Sequence, residues 1–190
     1  TLPKFFQKEV LEQILSYSDK DDWQLKRDKT ILELLYSTGI RLSELVAIDL
    51  GDVLIDQKTV KVFGKGGKER IVPFGGKAAE ALGYYLKERN IHLQKDLDNN
   101  PLFISKKGLR ISPRTVQSRL KKLFDSVAAG SGFTPHLMRH TFATHLLNHG
   151  ADIRAVKELL GHASLSSTQI YTHLETEKMK KIFKQAHPHA

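Results

Sequence analysis

The apolar residues of this chain change their spacing twice. Over 52–56, 59–63 and 69–74 they favour every second position, whereas before and after that stretch they recur every third or fourth. The short period marks half-buried strands and the long one marks helices. The chain can therefore build one small sheet and must bury its remaining apolar surface through helices. A helix is expected near 7–16, and a second over 23–38 with Ile31, Leu34, Leu35 and Thr38 on one face. Gly39 is placed to end the second, because glycine tolerates the left-handed backbone of a helix stop. A short helix follows over 41–47. The last two strands flank Gly64-Lys65-Gly66-Gly67-Lys68, a glycine-rich hairpin turn, and a helix over 77–89 leads into a polar loop over 95–101. The fold class expected is α+β, mainly α, with a three-stranded antiparallel sheet. At 190 residues the chain can bury one good core, and no linker divides it.

The second half reads as helix throughout. Ser112 caps a helix whose first position is Pro113. Val116, Leu120, Leu123, Phe124 and Val127 share its inner face, and Arg114, Ser118, Lys121 and Lys122 point away from it. Thr134-Pro135 opens the next helix, which stops near Gly150. Asp152 caps another that ends at Gly161, and Ser166 or Ser167 starts a short one carrying Tyr171. A final helix over 175–186 places Met179, Ile182, Phe183 and Ala186 in one apolar stripe.

Charge narrows the choice of partner. The formal net charge is +9, and residues 106–122 hold seven basic side chains and no acidic one. Cations in such number favour a polyanion, because each phosphate they neutralise releases condensed counterions. The absence of cysteine excludes disulfides and thiolate metal sites. With neither a signal-peptide pattern nor an apolar run of membrane length, the expected location is the cytoplasm. The chain opens at Thr1, which is read as processing or excision from something longer. Six of the nine histidines fall between His136 and His173, yet His145 and His149 lack the glutamate of a His-Glu-x-x-His metal site. Gly64 to Lys68 likewise lacks the spacing of a phosphate-cradling P-loop. No metal and no cofactor are expected.

Four segments carry a family likeness: Thr38-Gly39-Ile40-Arg41-Leu42-Ser43-Glu44-Leu45, Thr134-Pro135-His136-Leu137-Met138-Arg139-His140-Thr141-Phe142-Ala143-Thr144-His145, Leu159-Leu160-Gly161-His162, and Thr168-Gln169-Ile170-Tyr171-Thr172-His173. Their content and order resemble the tyrosine recombinase (phage integrase) family, nearest its Xer-like branch. The resemblance implies a domain that cuts and rejoins duplex DNA at a specific site through a 3′-phosphotyrosine intermediate. It also implies that 1–190 is the carboxy-terminal catalytic half, with no counterpart of the amino-terminal core-binding domain. Members act as four protomers on two DNA sites, with copies of themselves or a paralogue. Their last helix docks into the neighbouring protomer; docking on its own core is the alternative for an isolated domain. Whether the task is resolution of chromosome dimers or integration of a mobile element stays open.

The roles follow from what a phosphodiester needs. Attack adds negative charge to a group that already repels nucleophiles, and a guanidinium fork can hold two phosphate oxygens. By resemblance Arg41 and Arg139 are that pair, with Glu44 as a support that orients Arg41. Tyr171 is the expected nucleophile, and Tyr17, Tyr36, Tyr84 and Tyr85 are assigned to structure. His136 resembles the proton acceptor or phosphate-side donor, and His162 the donor to a nonbridging oxygen. Lys65, favoured over Lys68, resembles the acid that protonates the leaving 5′ oxygen. The helix bearing Arg114, Ser118, Lys121 and Lys122 resembles one that enters the major groove. Readings still open at this level are type IB topoisomerase-like relaxation, a DNA-binding module without catalysis, and a metal-dependent nuclease.

Overall fold

The computed structural model describes residues 5–18, 22–92, 100–161 and 173–190. Helices α1 (Lys8–Ser16), α2 (Trp23–Thr38) and α3 (Leu42–Ala47) precede strands β1 (Val53–Leu54), β2 (Thr59–Phe63) and β3 (Glu69–Pro73). Among the described residues five helices follow: α4 (Gly76–His92), α5 (Pro113–Val127), α6 (Pro135–Asn148), α7 (Ile153–Leu159) and α8 (His173–Ala186). The short helix expected to carry Tyr171 lies outside the described residues.

Helix α2 is the spine. The Asp22 carboxylate accepts the Gln24 amide at its start (2.8 Å). Its end is Gly39, at φ +63°, whose N–H closes on the Leu35 carbonyl. The sequence suggested one apolar face, but Leu32 and Tyr36 are buried along with Ile31, Leu34 and Leu35. The helix is enclosed by α4, α5 and α6, so more of its circumference must be apolar.

The sheet runs β1-β2-β3, antiparallel, with Thr59 opposite Pro73 and Phe63 opposite Glu69. Its first strand is shorter than alternation over 52–56 predicts. The Asp52 carboxylate accepts the Asp49 amide (3.0 Å), winding residues 50–52 into a tight turn, and Lys58 reverses the chain at φ +52°. Only Val53 and Leu54 remain to pair with β2.

The expected caps form in the second half. Ser112 Oγ accepts the Thr115 amide (3.1 Å), Thr134 Oγ1 the Leu137 amide (3.0 Å) and Asp152 Oδ1 the Arg154 amide (2.7 Å). Two apolar clusters result, one around α1 to α5 and the sheet, the other joining α6, α7 and α8. The second cluster decides where the last helix goes. Met179, Phe183 and Ala186 are buried against Phe142, Leu146, Val156 and Leu159 of the same chain. In this single chain the helix docks in cis, the alternative expected for an isolated domain. Burying Met179 and Phe183 alone contributes roughly 3–6 kcal/mol, enough to hold α8 on its own core when no neighbour competes.

The chain then folds back on α2. His187 Nε2 lies 3.0 Å from the Tyr36 carbonyl, and His189 Nδ1 lies 2.7 Å from Glu33 Oε1. Gly75 must stay bare, since a Cβ there would stand 1.8 Å from the His189 carbonyl oxygen. Burial drives the His187 imidazole down to about 3, against the pull of its bond to Tyr36, and the nearby His189, His145 and His149 push the same way. An unfolded histidine titrates near 6.5. Between about pH 6.5 and 3 the unfolded chain therefore takes up a proton that the folded chain refuses, and stability falls as pH falls. The expected loss attributable to His187 approaches about 1.4 kcal/mol per pH unit within that window. Thermal melts of the parent chain and of His187→Phe between pH 7.5 and 5 check this. The variant should show a shallower dependence, and parallel curves would contradict the assignment.

Candidate active site

The left-handed turn at Gly39 leaves Arg41 with extended backbone as the cap of α3. Glu44, three residues on, reaches back so that its Oε2 accepts the Arg41 amide (2.8 Å) at the start of α3. Its Oε1 also takes Arg41 Nη1 at 3.2 Å, a single contact that leaves the Arg41 side chain 44% exposed.

Arg139 approaches the same turn from α6. Its Nη1 donates to the Gly39 carbonyl (2.7 Å) and its Nη2 to the Leu160 carbonyl (2.5 Å). Burial, and then the Arg41 and Arg70 charges, push its guanidinium down to about 10, while Glu44 pulls the other way. It remains a cation at neutral pH. Like charges held this close with one shared carboxylate favour the arrival of an anion, and a phosphate matches the planar forks.

Lys65 stands exposed at the tip of the β2–β3 turn. Gly66 and Gly67 take φ of +78° and +71°, and Gly64 closes the turn by donating to the Lys68 carbonyl (2.7 Å). Lys68 is exposed as well. His136 occupies the first turn of α6, exposed, one turn ahead of Arg139. His162 and Tyr171 lie outside the described residues. The chain leading to His162 is nonetheless anchored here, through the Leu160 carbonyl on Arg139. Of the tyrosines assigned to structure, Tyr36 and Tyr85 are buried, but Tyr84 is 60% exposed with Lys87 over its ring.

One residue of this constellation was missed from the sequence. Glu44 was read as the partner of Arg41, but its bidentate partner is Arg70, with Nη1 to Oε1 at 2.7 Å and Nη2 to Oε2 at 3.0 Å. Arg70 and Glu44 are both buried. Arg70 sits on the same strand face as Val72, and an arginine at an inward strand position requires a buried acid. That was the available signal.

Helix α5 presents Arg114, Ser118, Lys121 and Lys122 to solvent, while Val116, Leu120, Leu123 and Phe124 are buried. The basic run over 106–122 is less open than its composition suggests. Arg110 donates to the Val46 and Ile48 carbonyls and pairs with Asp49, and Arg119 Nε pairs with Asp28 (2.6 Å). Both are structural. Among the described residues no three His, Asp or Glu side chains are grouped to hold a metal, and no helix is long and apolar enough to cross a membrane.

Mainly helical architecture with a small antiparallel sheet and an arginine pair at a helix-capping turn defines the catalytic fold of the tyrosine recombinases. The phage integrase family model matches residues 4–178. Tyrosine recombinase XerC of Shewanella sp. (strain ANA-3) is 47% identical over 189 residues, covering 100% of this chain and 62% of that protein. The crystal structure of XerA recombinase superposes with a TM-score of 0.76 at 32% identity, covering 97% of this chain and 65% of that one. XerH site-specific recombinase, bound to difH substrate in a pre-cleavage complex, superposes with a TM-score of 0.73 at 26% identity, covering 95% and 53%. The chain belongs to the phage integrase family. It spans about three-fifths of the length of the curated relatives it matches.

Proposed function

We propose that this chain is the catalytic domain of a site-specific DNA recombinase that cuts duplex DNA by attack of Tyr171 on a phosphodiester and rejoins it through a 3′-phosphotyrosine. The observation that carries this reading is the convergence of Arg41 and Arg139 on one turn, beside a carboxylate that Arg70 already holds. Their forks would take the nonbridging oxygens of the scissile phosphate and hold the charge that grows in the transition state. His136 would move the tyrosine proton or donate to the phosphate, and His162 would donate to a nonbridging oxygen. Lys65 would protonate the leaving 5′ oxygen from its exposed turn, and the cleaved bond would be kept as a tyrosyl ester, so no nucleotide cofactor or metal is called for. The partners are double-stranded DNA with a specific site and further copies of this chain or a paralogue, in the cytoplasm. Relatives named as recombinases support this reading over simple relaxation.

The test is a nicked duplex whose cleavage releases a short strand, so that religation fails and the covalent complex accumulates. In EDTA the chain should form that complex on duplexes carrying its site. No complex on any candidate site, or one that needs a divalent metal, overturns the proposal.

Helix α5 would supply recognition. An arginine near a helix start can pair with guanine O6 and N7, worth roughly 1–3 kcal/mol of discrimination, whereas Lys121 and Lys122 suit phosphates. Arg114→Ala should therefore weaken binding to the cognate duplex by about 5-fold to 150-fold more than to a scrambled one. Equal losses on both would reduce Arg114 to a phosphate contact.

A further inference from the structure

Arg70 touches more of the site than any single role assigned so far accounts for. Its fork occupies both oxygens of Glu44, leaving Arg41 with one guanidinium contact at 3.2 Å. Its Nε–H finds no acceptor among the described residues. A Cβ on Gly161 would stand 3.0 Å from Arg70 Cζ and Nε, and one on Gly64 would stand 3.5 Å from Arg70 Nη1 and Glu44 Oε1. One buried guanidinium thus lies against the residue before Lys65, the carboxylate behind Arg41 and the residue before His162.

We infer that Arg70 is a positioning residue that saturates Glu44, so that Arg41 keeps its remaining N–H groups for the phosphate and the Lys65 turn stays registered against the end of α7. The inference rests on the functional reading above. The physical argument is competition. A buried carboxylate without Arg70 would draw the Arg41 guanidinium into a bidentate pair of its own, because that is the nearest cation able to satisfy it. Burial pulls the Glu44 carboxyl up, but the hydrogen bonds from Arg70 and from the Arg41 amide outweigh it and hold the group below its ordinary range, so Glu44 stays an anion. Lysine cannot replace the fork, since its ammonium is a point charge without the planar geometry that meets both carboxylate oxygens in parallel.

The experiment compares cleavage of a nicked duplex bearing an ordinary scissile phosphate with one bearing a methylphosphonate, which lacks the anionic nonbridging oxygen that makes arginine necessary. The variants are Arg70→Lys, Arg41→Ala and Lys65→Ala, with folding checked by thermal melting and DNA affinity by titration. Arg70→Lys should cleave the phosphodiester about tenfold or more slowly with affinity changed by less than about threefold, and the defect should shrink below about threefold on the methylphosphonate. Arg41→Ala should share that recovery, and Lys65→Ala should not. A loss of equal size on both substrates would make Arg70 merely structural and overturn the assignment, as would wild-type cleavage by Arg70→Lys. If Arg70→Lys does not fold, Arg70→Gln gives the same readout, because a neutral amide likewise leaves the Glu44 carboxylate to draw on Arg41. A wild-type chain that forms no complex on the phosphodiester removes the functional reading itself, a result separable from either outcome for Arg70.

Discussion

Replacing Arg139 with alanine is expected to lower the rate of covalent complex formation by roughly 10³-fold. Two effects add. The lost fork is one of two groups placed to hold transition-state charge, and that charge is costly to leave unmatched. The same fork donates to the Gly39 and Leu160 carbonyls, so its removal also frees the α2–α3 turn and the segment leading to His162. A carbonyl left unpaired in a half-buried site costs roughly 1–3 kcal/mol. Arg139→Lys separates the effects: the cation persists, but one ammonium cannot span two carbonyls on different elements and still face a phosphate. The lysine variant should bind DNA nearly as the parent does and cleave almost as poorly as the alanine variant. Single-turnover cleavage with saturating protein measures it, and near-parental cleavage by either variant would contradict the placement of Arg139.

Gly39 carries the second large effect, on stability. It sits at φ +63°, and a Cβ there would come within 2.3 Å of Phe142 Cδ1. Gly39→Ala must strain the backbone and displace a buried ring of the α6–α8 core at once, for an expected loss of roughly 2–4 kcal/mol. The turn also presents the carbonyl that Arg139 uses, so cleavage should fall beyond what unfolding explains. A smaller ring-side partner should relieve part of the loss, and the double variant Gly39→Ala with Phe142→Leu is expected to be less destabilised than the sum of the two singles. Urea unfolding checks this, and strict additivity would show that the close approach is not the cause.

Much of the architecture was legible because it rests on local rules. Ser112-Pro113, Thr134-Pro135 and Asp152 cap helices where their side chains can reach the first free amides, and Gly39 stops α2 by its left-handed backbone. The arginine pair and the lysine turn were legible through motif order and not through spacing, since Arg41 and Arg139 meet only after the chain has built the whole sheet between them. What stayed hidden depends on partners distant in sequence. Arg110 and Arg119 looked like part of an open basic run, but Asp49 and Asp28, far earlier in the chain, neutralise them. Arg70 was invisible as the partner of Glu44 until β3 turned its side chain inward. The apolar stripe of α8 announced that a partner exists; whether that partner is the chain's own α6 and α7 or a neighbour cannot be written in one helix. His187 and His189 gave no period at all, and their burial follows from the partners that α2 offers them, the Tyr36 carbonyl and the Glu33 carboxylate.

Tyr171 is proposed to join DNA covalently through a 3′-phosphate. Digestion of the trapped complex with protease and nuclease, followed by mass analysis of the peptide that keeps a nucleotide, measures this directly. The modified peptide should contain Tyr171, and Tyr171→Phe, which removes one oxygen, should fold and bind DNA but yield no such peptide. An undiminished complex in the Phe variant, or a nucleotide attached to any other side chain, would contradict it.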